Sequence, residues 1–438
     1  MQDVRIAYPS QAALCAEGEA AVLYHLQSAL GLCVIVALAW LFSENRRAFP
    51  WRAVAVGLAL QLGLALVLLE LPPARAALLS LNAVVDALMQ ATKAGTGFVF
   101  GYVGGGDAPF PISRPGNLAS LAFEILPLVI VISALSALLW HWRVLPAVVN
   151  GFAWALKRTM GLGGAVGLGV ASTIFVGMIE APLLIRPHLL RLTRTELFIL
   201  FTTGLASVAG TVFVLYATIL EPAVPGALGH ILVASILSMP AAILIARVMI
   251  PGDSATEAKS GEPGLEYRSS MDAIARGTED GLKLWLAIVA MLLVVVALVA
   301  LADIILSNLP NLMGAPVTLE RVFGWLFAPF VWLLGIPASQ AAQAGALMGE
   351  KTVLNELIAY LQLASLPVGA LDPRARLIML YALCGFANPG SVGILIAGMR
   401  SLAPERSGEI APLALRALFS GTLASAMTGA VIGLLPVT

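Results

Sequence analysis

Long stretches without a single charged residue limit most strongly what this chain can fold into. A helix that crosses a bilayer needs roughly 20 mainly apolar residues, because its backbone polar groups must be bonded internally. Only 11% of the residues are charged and 59% are hydrophobic, whereas a soluble domain carries about 25% charged residues. The sequence therefore predicts an all-α polytopic membrane protein with eight transmembrane helices. The eight apolar windows are 28–42, 53–69, 125–140, 197–220, 222–246, 284–302, 377–399 and 417–438.

Charge balance and motif content exclude several other classes of protein. The 25 Lys and Arg balance 25 Asp and Glu, so the basic excess of a nucleic-acid binder is absent from the sequence. Three cysteines cannot form a disulfide framework, and the four histidines lack metal-ligand spacing. The glycine run at 161–169 lacks the preceding strand and the Gly-Lys-Ser/Thr of a phosphate loop. We therefore expect no enzyme, no resident cofactor or metal centre, and no nucleic-acid partner.

Basic residues between the windows indicate the orientation of the chain. Cytoplasmic loops are enriched in Lys and Arg, and the first loop carries Arg46, Arg47 and Arg52. The 248–283 loop, which includes Lys259, is also basic and falls on the same side. This predicts a multi-pass protein of the cytoplasmic (inner) membrane with both termini outside. Residues 1–24 form a polar tail with acidic residues, unlike the basic start of a cleaved signal peptide.

Two apolar stretches do not fit the pattern in which successive loops lie on opposite sides of the membrane. Residues 159–179 have basic flanks that both belong to the cytoplasmic side, which predicts a re-entrant hairpin that ends at Glu180. A ninth span with a small-residue packing face is the alternative. Residues 336–368 repeat this design from the opposite side of the membrane. Near its turn the sequence places Gly345, Gly349, Glu350, Lys351 and Glu356.

Each predicted hairpin is followed by a window that contains helix-breaking residues. Window 197–220 carries Gly204, Ser207 and Gly210, and window 377–399 carries Asn388-Pro389-Gly390. Proline removes a backbone donor and disfavours helical geometry at the residue before it. Hairpin, acidic tip and broken helix thus occur twice with opposite orientation, an inverted repeat typical of secondary transporters.

The two acidic residues at the hairpin tips are candidate functional groups. An uncompensated carboxylate is costly at membrane depth, so Glu180 and Glu356 are predicted to bind a ligand or an ion. The alternative is that each pairs with a nearby basic residue or reaches the membrane surface.

Several stretches resemble the concentrative nucleoside transporters. TIFVGMIEAPLLIRP at 173–187 and LTRTELFILFTTGLASVAG at 192–210 resemble the first half of that family. KTVLNELIAYL at 351–361 and YALCGFANPGSVGILIAG at 381–398 resemble its second half. The resemblance implies a homotrimer in which a transport domain moves against a scaffold. It implies interfacial helices near 72–95, 143–158 and 318–333, and a trimer contact at the long sixth span, 272–302.

The same resemblance divides the chain into four parts. The N-terminal spans and an interfacial helix (1–95) and spans five and six with the cytoplasmic loop (222–317) would form the scaffold. The transport repeats would comprise span 3, hairpin 1 and broken span 4 (96–221), and hairpin 2, broken span 7 and span 8 (318–438).

Matching positions imply a substrate site and a cation site. The resemblance assigns ribose binding to Glu356, Asn388 and Ser391, because a carboxylate and an amide together both accept from and donate to a diol. The nucleobase would lie near Glu180, flanked by Phe386 and Val212. Hydroxyls and freed carbonyls are the hard oxygen ligands that an alkali cation needs. The cation site would comprise Thr173, Val176, Ser207 and Val208.

Two departures from the family pattern affect the expected specificity. Sodium-coupled members usually have Asn where this chain has Thr173, which leaves sodium and proton coupling both open. The first hairpin tip usually reads Gly-Gln-Thr/Ser-Glu, but here it carries Met178 and Ile179 before Glu180. Because Met and Ile form no hydrogen bonds to a base, we expect altered base recognition.

The sequence thus predicts cation-coupled symport of nucleosides, with substrate bound between two hairpin tips and two unwound helices. A symporter of the same architecture for another ribose-containing or polyol solute is the alternative. A membrane enzyme or a non-transporting sensor is a third possibility.

Overall fold

The computed structural model describes residues 11–112, 120–252, 256, 266–312 and 314–436. Within these ranges the chain is helical, and its β-structure is a single isolated bridge between Leu312 and Ala315. The expected all-α class is therefore correct. The start of the predicted polar tail (1–10), Lys259 of the basic loop and the last two residues of the final window lie outside the described ranges.

The described helices are labelled in chain order. They are α1 (Gln11–Leu41), α2 (Trp51–Glu70), α3 (Pro72–Phe100), α4 (Leu128–His141), α5 (Val144–Met160), α6 (Gly164–Val176), α7 (Glu180–Leu184), α8 (Arg194–Ala206), α9 (Gly210–Leu220), α10 (Ala227–Met249), α11 (Ser270–Leu306), α12 (Leu319–Trp332), α13 (Ala341–Val353), α14 (Glu356–Ser365), α15 (Pro373–Leu383), α16 (Pro389–Leu402) and α17 (Ser407–Gly433).

Seven helical stretches in the described part of the chain are long and apolar enough to cross a membrane. They are Val22–Leu41, Trp51–Glu70, Leu121–His141, Arg194–Leu220, Ala227–Met249, Ser270–Leu306 and Pro404–Gly433. Each overlaps one predicted window. The remaining window, 377–399, is divided between α15 and α16, and each half is too short to span the membrane alone. The number of spans stays a prediction.

The centre of the molecule is formed by α8, α9, α10 and the C-terminal half of α17. Large side chains such as Phe198 and Phe201 on α8 and Tyr381 on α15 are fully buried there. Helix α10 packs against α2, α8, α9 and α17, and α1 packs against α17. A helix that is apolar on all sides is stable only when protein or lipid surrounds it. These central helices are surrounded by protein.

Helices α4 and α11 form a closely packed pair at glycine positions. A Cβ on Gly277 would lie 2.7 Å from the carbonyl oxygen of Ser133, and one on Gly281 would lie 2.7 Å from Cα of Ile130. Any larger residue would push the two helices apart. Beyond this contact, α11 presents a row of exposed apolar side chains, among them Leu293, Val296, Leu298, Leu301 and Ile304.

Both predicted hairpin stretches fold as two helices joined by a short turn. Glu180 and Glu356 are the first residues of the returning helices α7 and α14. The second turn lies at 354–355, where the Asn355 side chain accepts a hydrogen bond from Ile358 N and begins a new helix.

Gly345 and Gly349 were predicted near that turn, and both lie before it, in the first arm of the hairpin. They lie inside α13, on the face that packs against α12. A Cβ on Gly345 would lie 2.7 Å from the carbonyl oxygen of Gly324. These glycines permit helix contact and do not reverse the chain.

The two predicted helix breaks are present and lie side by side. The first separates α8 from α9 at 207–209, and the second separates α15 from α16 at 384–388. Phe386 N donates a hydrogen bond of 3.3 Å to the carbonyl oxygen of Ser207. A Cβ on Gly385 would lie 2.9 Å from the carbonyl oxygen of Ala206, so a larger residue there would separate the two breaks.

Helices also occur where interfacial helices were predicted. Helix α3 covers 72–95 and continues to residue 100, α5 covers 144–160, and α12 covers 319–332. Their position relative to a membrane stays a prediction.

Candidate substrate and cation site

Glu356 is the centre of a buried hydrogen-bonded cluster. It begins α14, and 5% of its surface is exposed. Its Oε1 accepts a hydrogen bond of 2.7 Å from the Tyr216 hydroxyl on α9, and its Oε2 accepts one of 3.1 Å from Asn388 Nδ2. Each carboxylate oxygen therefore has a donor, which a buried carboxylate requires.

Asn388 is the N-cap of α16 and links this helix to Glu356. Its Oδ1 accepts a hydrogen bond of 2.9 Å from Ser391 N, so its amide is held in one orientation. Both Asn388 and Ser391 are buried. The structure thus brings together the three residues to which the family resemblance assigns ribose binding. The cluster combines a carboxylate, an amide and a hydroxyl at the first turns of two helices.

One of the two flanking residues follows the first break, and the other lies within the second break. Val212, in the first turn of α9, is 4% exposed, and Phe386, within the second break, is half-buried. Val212 precedes Tyr216 by four residues, so both project from the same side of α9.

Glu180 differs from Glu356 in its surroundings. Glu180 is exposed, and its Oε2 lies beside Gly177, 2.8 Å from where a Cβ on that glycine would stand. Gly177 has φ +105, which favours glycine at this turn.

The two apolar residues at the first hairpin tip pack against neighbouring helices. Cβ of Met178 would lie 2.9 Å from a Cβ on Gly204 of α8, and Cγ2 of Ile179 would lie 3.2 Å from a Cβ on Gly398 of α16. The glycines thus provide the space that these two side chains occupy. Both residues remain partly exposed.

The four predicted cation-binding residues lie where two helices end. Helix α6 ends at Val176, and α8 ends one residue before Ser207. Thr173 Oγ1 donates to the carbonyl oxygen of Val170 at 2.7 Å, and Ser207 Oγ donates to that of Thr203 at 2.9 Å. Both hydroxyl oxygens therefore keep lone pairs available for a cation.

The α6 terminus and the first break are in close contact. A Cβ on Gly210 would lie 2.9 Å from the carbonyl oxygen of Phe175. Val208 is fully buried, whereas Val176 is partly exposed. Helix C-termini carry partial negative charge, so this donor set fits an alkali cation. Within the described ranges no three His, Cys, Asp or Glu side chains converge to hold a metal ion.

Two residues near Glu356 were not predicted as part of the site. One is Tyr216, whose hydroxyl is its direct hydrogen-bond donor. The other is Lys351, which is completely buried and whose Nζ donates a hydrogen bond of 2.7 Å to Ser425 Oγ on α17. Its ammonium lies within electrostatic reach of Glu356. A lysine within a mainly apolar hairpin, five residues before Glu356, was the available sequence signal.

Helical hairpins, paired helix breaks and a buried polar cluster between them define a helical membrane transporter. Family models agree with this class: "Na+ dependent nucleoside transporter N-terminus" matches 30–103, "Nucleoside recognition" matches 122–223, and "Na+ dependent nucleoside transporter C-terminus" matches 230–433. The chain belongs to the concentrative nucleoside transporter family.

Relatives and solved structures cover nearly the whole chain. The nucleoside permease NupC of Helicobacter pylori is 33% identical over 93% of this chain and 97% of its own length. The sodium/nucleoside cotransporter 1 of Rattus norvegicus is 30% identical over 94% of this chain and 64% of its own length. The structure of CNTnw in an inward-facing substrate-bound state has a TM-score of 0.84 at 31% identity, covering 94% of this chain and 97% of that one. These relatives are transporters and not enzymes.

Proposed function

We propose that this protein carries nucleosides across the cytoplasmic membrane together with a cation. The observation that carries the proposal is the pair of hydrogen bonds that hold Glu356 between Tyr216 and Asn388. A carboxylate and an amide fixed side by side can accept from and donate to the vicinal hydroxyls of a ribose. Glu356, Asn388 and Ser391 would bind the sugar, while Glu180, Phe386, Val212, Met178 and Ile179 would surround the base.

The coupling cation would bind at the ends of α6 and α8. Thr173 and Ser207 would contribute hydroxyl oxygens, and Val176 and Val208 would contribute backbone carbonyls, which suit a hard cation. Sodium is favoured because two of the matching family models are described as Na+ dependent and the rat relative is named a sodium/nucleoside cotransporter. Proton coupling is the alternative, because a hydroxyl residue stands at position 173 and an amide does not.

Transport would proceed by alternating access as the hairpins and broken helices move against a fixed scaffold. The helix contacts favour one change to the four-part division predicted from sequence. Helices α1 and α2 pack on α10 and α17, whereas α11 packs on α4. We therefore propose that α4 and α11 belong to the scaffold and that α1, α2 and α10 move with the transport domain.

The exposed apolar face of α11 would contact lipid or the neighbouring subunits of a homotrimer. We place the protein in the inner membrane, and the basic loops would lie on the cytoplasmic side, so that both termini would lie outside. Lipid and trimer contacts both suit apolar side chains such as Leu293 and Leu298, which are exposed in the single chain.

A different polyhydroxylated solute is the second candidate substrate. It is favoured by the apolar tip of the first hairpin, where Met178 and Ile179 pack on Gly204 and Gly398. A base would find no hydrogen-bonding side chain at these two positions, whereas the polar cluster at Glu356 would still recognise a diol.

Uptake into proteoliposomes tests the proposal directly. Labelled uridine and adenosine would be offered with sodium and proton gradients imposed separately. Uptake driven by one gradient supports nucleoside symport and identifies the ion. Folded protein that takes up neither nucleoside contradicts this substrate assignment. Glu356→Gln, which keeps the shape of the side chain, should abolish uptake, and unchanged uptake would contradict the assigned role of Glu356.

A further inference from the structure

Glu350 is a buried carboxylate that the proposed substrate and cation sites do not use. It lies on α13, and 5% of its surface is exposed. Its Oε2 is buried and has no hydrogen-bond partner among the described residues. A buried polar atom without a partner costs free energy, and an ionised carboxylate costs considerably more than a neutral group.

Gln362 on α14 neighbours Glu350 and is hydrogen-bonded to a second carboxylate. Its Nε2 donates a hydrogen bond of 2.7 Å to Glu320 Oε1 on α12. The same side chain also interacts with the Glu350 carboxyl. Gln362 Oε1 is also buried without a partner among the described residues. Two acceptor oxygens, one on each arm of the hairpin, therefore lack a donor.

The charged and titratable groups of the surrounding helices do not supply this donor. On α13, the Lys351 ammonium is directed to Ser425 of α17. On α14, Glu356 is bonded to Tyr216 and Asn388.

On α12, the Arg321 guanidinium is hydrogen-bonded to backbone carbonyls of the preceding loop. On α15, the Tyr381 hydroxyl is hydrogen-bonded to His230, and the guanidinium groups of Arg374 and Arg376 are hydrogen-bonded to backbone carbonyls. The thiol of Cys384, just after α15, contacts Ser235. Among the described residues, Glu320 is a charged group that acts on Glu350, and its charge has the same sign.

We propose that Glu350 binds a proton while the α13–α14 hairpin is packed against α12. The protonated carboxyl gives the cluster the donor that it lacks, and Gln362 Oε1 is the acceptor available to it. The net charge of the Glu350 and Glu320 carboxyls then falls from two negative charges to one, which removes the repulsion between them. The proton comes from the aqueous phase. The cluster reaches that phase through Glu320, which is exposed.

A proton fits this cluster better than a metal cation does. Hard cations of the calcium and magnesium type take about six or more oxygen ligands. The cluster offers two carboxylates and one amide oxygen, and Glu320 already accepts a bond from Gln362. A single proton satisfies a bare acceptor and removes a buried charge in one step.

Infrared difference spectroscopy of the full-length protein tests this proposal independently of transport. Wild type minus Glu350→Gln at neutral pH should show the carbonyl band of a protonated carboxyl, which shifts on deuterium exchange. Glu124→Gln is the matched control, because Glu124 is ion-paired with Lys93 at 3.3 Å. A Glu350→Gln protein that keeps all protonated-carboxyl absorbance would overturn the proposal.

A second variant keeps the test decisive if Glu350→Gln does not fold. Gln362→Leu removes the acceptor but leaves the Glu350 carboxyl in place. The protonated-carboxyl band should then move to higher frequency, because a carbonyl stretch rises when its carboxyl loses a hydrogen bond. An unchanged frequency in a folded Gln362→Leu protein would contradict Gln362 as the partner of Glu350.

Discussion

Tyr216 and Glu356 are separated by 140 residues in the chain, yet the hydroxyl of one donates to the carboxylate of the other at 2.7 Å. Tyr216 lies on the helix after the first break, and Glu356 begins the second arm of the second hairpin. The hydrogen bond therefore joins the two transport repeats predicted from the sequence.

Removing this hydroxyl should weaken substrate binding. A hydrogen bond to a charged group contributes about 1.5–3 kcal/mol, so Tyr216→Phe should raise the dissociation constant for uridine about 10- to 100-fold. Tyr360→Phe is a matched control, because its ring lies 5.1 Å from that of Tyr216 but its hydroxyl donates to the carbonyl oxygen of Leu380. Calorimetric titration measures both variants. Equal affinities in the two would argue against a role for Tyr216.

Loss of the hydroxyls at the ends of α6 and α8 should weaken cation coupling. Thr173→Ala combined with Ser207→Ala removes two hard oxygen ligands, and we expect the half-saturating concentration of the coupling cation to rise at least about tenfold. Thr173→Ser retains the hydroxyl and should preserve coupling.

Ser172→Ala is the control for this experiment. Ser172 neighbours Thr173 and is fully buried, but its hydroxyl donates to the carbonyl oxygen of Leu168 and is not assigned to the cation site. Uptake is measured against cation concentration in each variant. The same cation dependence in the double variant and in Ser172→Ala would mean that the cation binds at other residues.

Polar groups at the first hairpin tip should increase discrimination between bases. Met178→Gln with Ile179→Thr adds hydrogen-bonding groups at the tip, and a site built to bond a polar group rejects analogues that lack it. The ratio of KM values between a nucleoside and a ribose analogue without a base should change by about tenfold. Competition against labelled uridine measures this ratio. No change would mean that these side chains do not face the base.

Acid should weaken a cluster that links the first loop to α8 and α17. Glu44 Oε1 accepts a 2.8 Å hydrogen bond from Arg194 and also contacts Arg416. The hydrogen bond from Arg194, together with the charges of both arginines, lowers the pKa of Glu44 from its ordinary 4.5. Because the folded-state pKa is lowered, the stabilisation is present above pH 4.5 and is lost as the pH falls through the folded value.

For this half-exposed cluster we expect an effect of about 0–1 kcal/mol. Thermal unfolding of wild type and Glu44→Gln should therefore differ at neutral pH and converge on acidification. The exposed Glu405 provides a control substitution, Glu405→Gln, which should have the wild-type unfolding temperature at neutral pH. A Glu44→Gln protein with the wild-type unfolding temperature at neutral pH would contradict this stabilising role.

Filling the contact between α12 and α13 should destabilise the second hairpin. A Cβ on Gly345 would already lie 2.7 Å from the carbonyl oxygen of Gly324, and overpacking costs about 1–3 kcal/mol. Gly345→Val should lower the unfolding temperature. Gly393→Ala in α16 is the control, because a Cβ there meets no atom within 4 Å. A smaller loss for Gly345→Val than for Gly393→Ala would contradict the packing.

Breaks and turns in this fold were predictable because they depend on local chemistry. Asn388 and Pro389 favour the start of a new helix, because asparagine suits the N-cap and proline suits the first helical position, and α16 begins at Pro389. The family resemblance then identified Glu356, Asn388 and Ser391 as one group. These predictions needed no knowledge of which helix lies beside which.

The contacts that complete the site could not be predicted because they join distant segments. Tyr216 is one of several aromatic residues in apolar windows, and nothing local marks it as the donor to Glu356. Gly345 and Gly349 show the same limit, since glycine suits both a turn and a close helix contact. Only the position of α12 distinguishes the two roles.

The hydrogen bond from Phe386 N to the carbonyl oxygen of Ser207 is made entirely by main-chain atoms. Replacing either side chain leaves its donor and its acceptor in place, with proline at 386 the exception. Side chains at the first hairpin tip, such as Met178 and Ile179, can therefore differ while this contact between the two helix breaks is kept. Because this contact does not depend on side-chain identity, substitutions that alter substrate recognition need not alter the contact between the two broken helices.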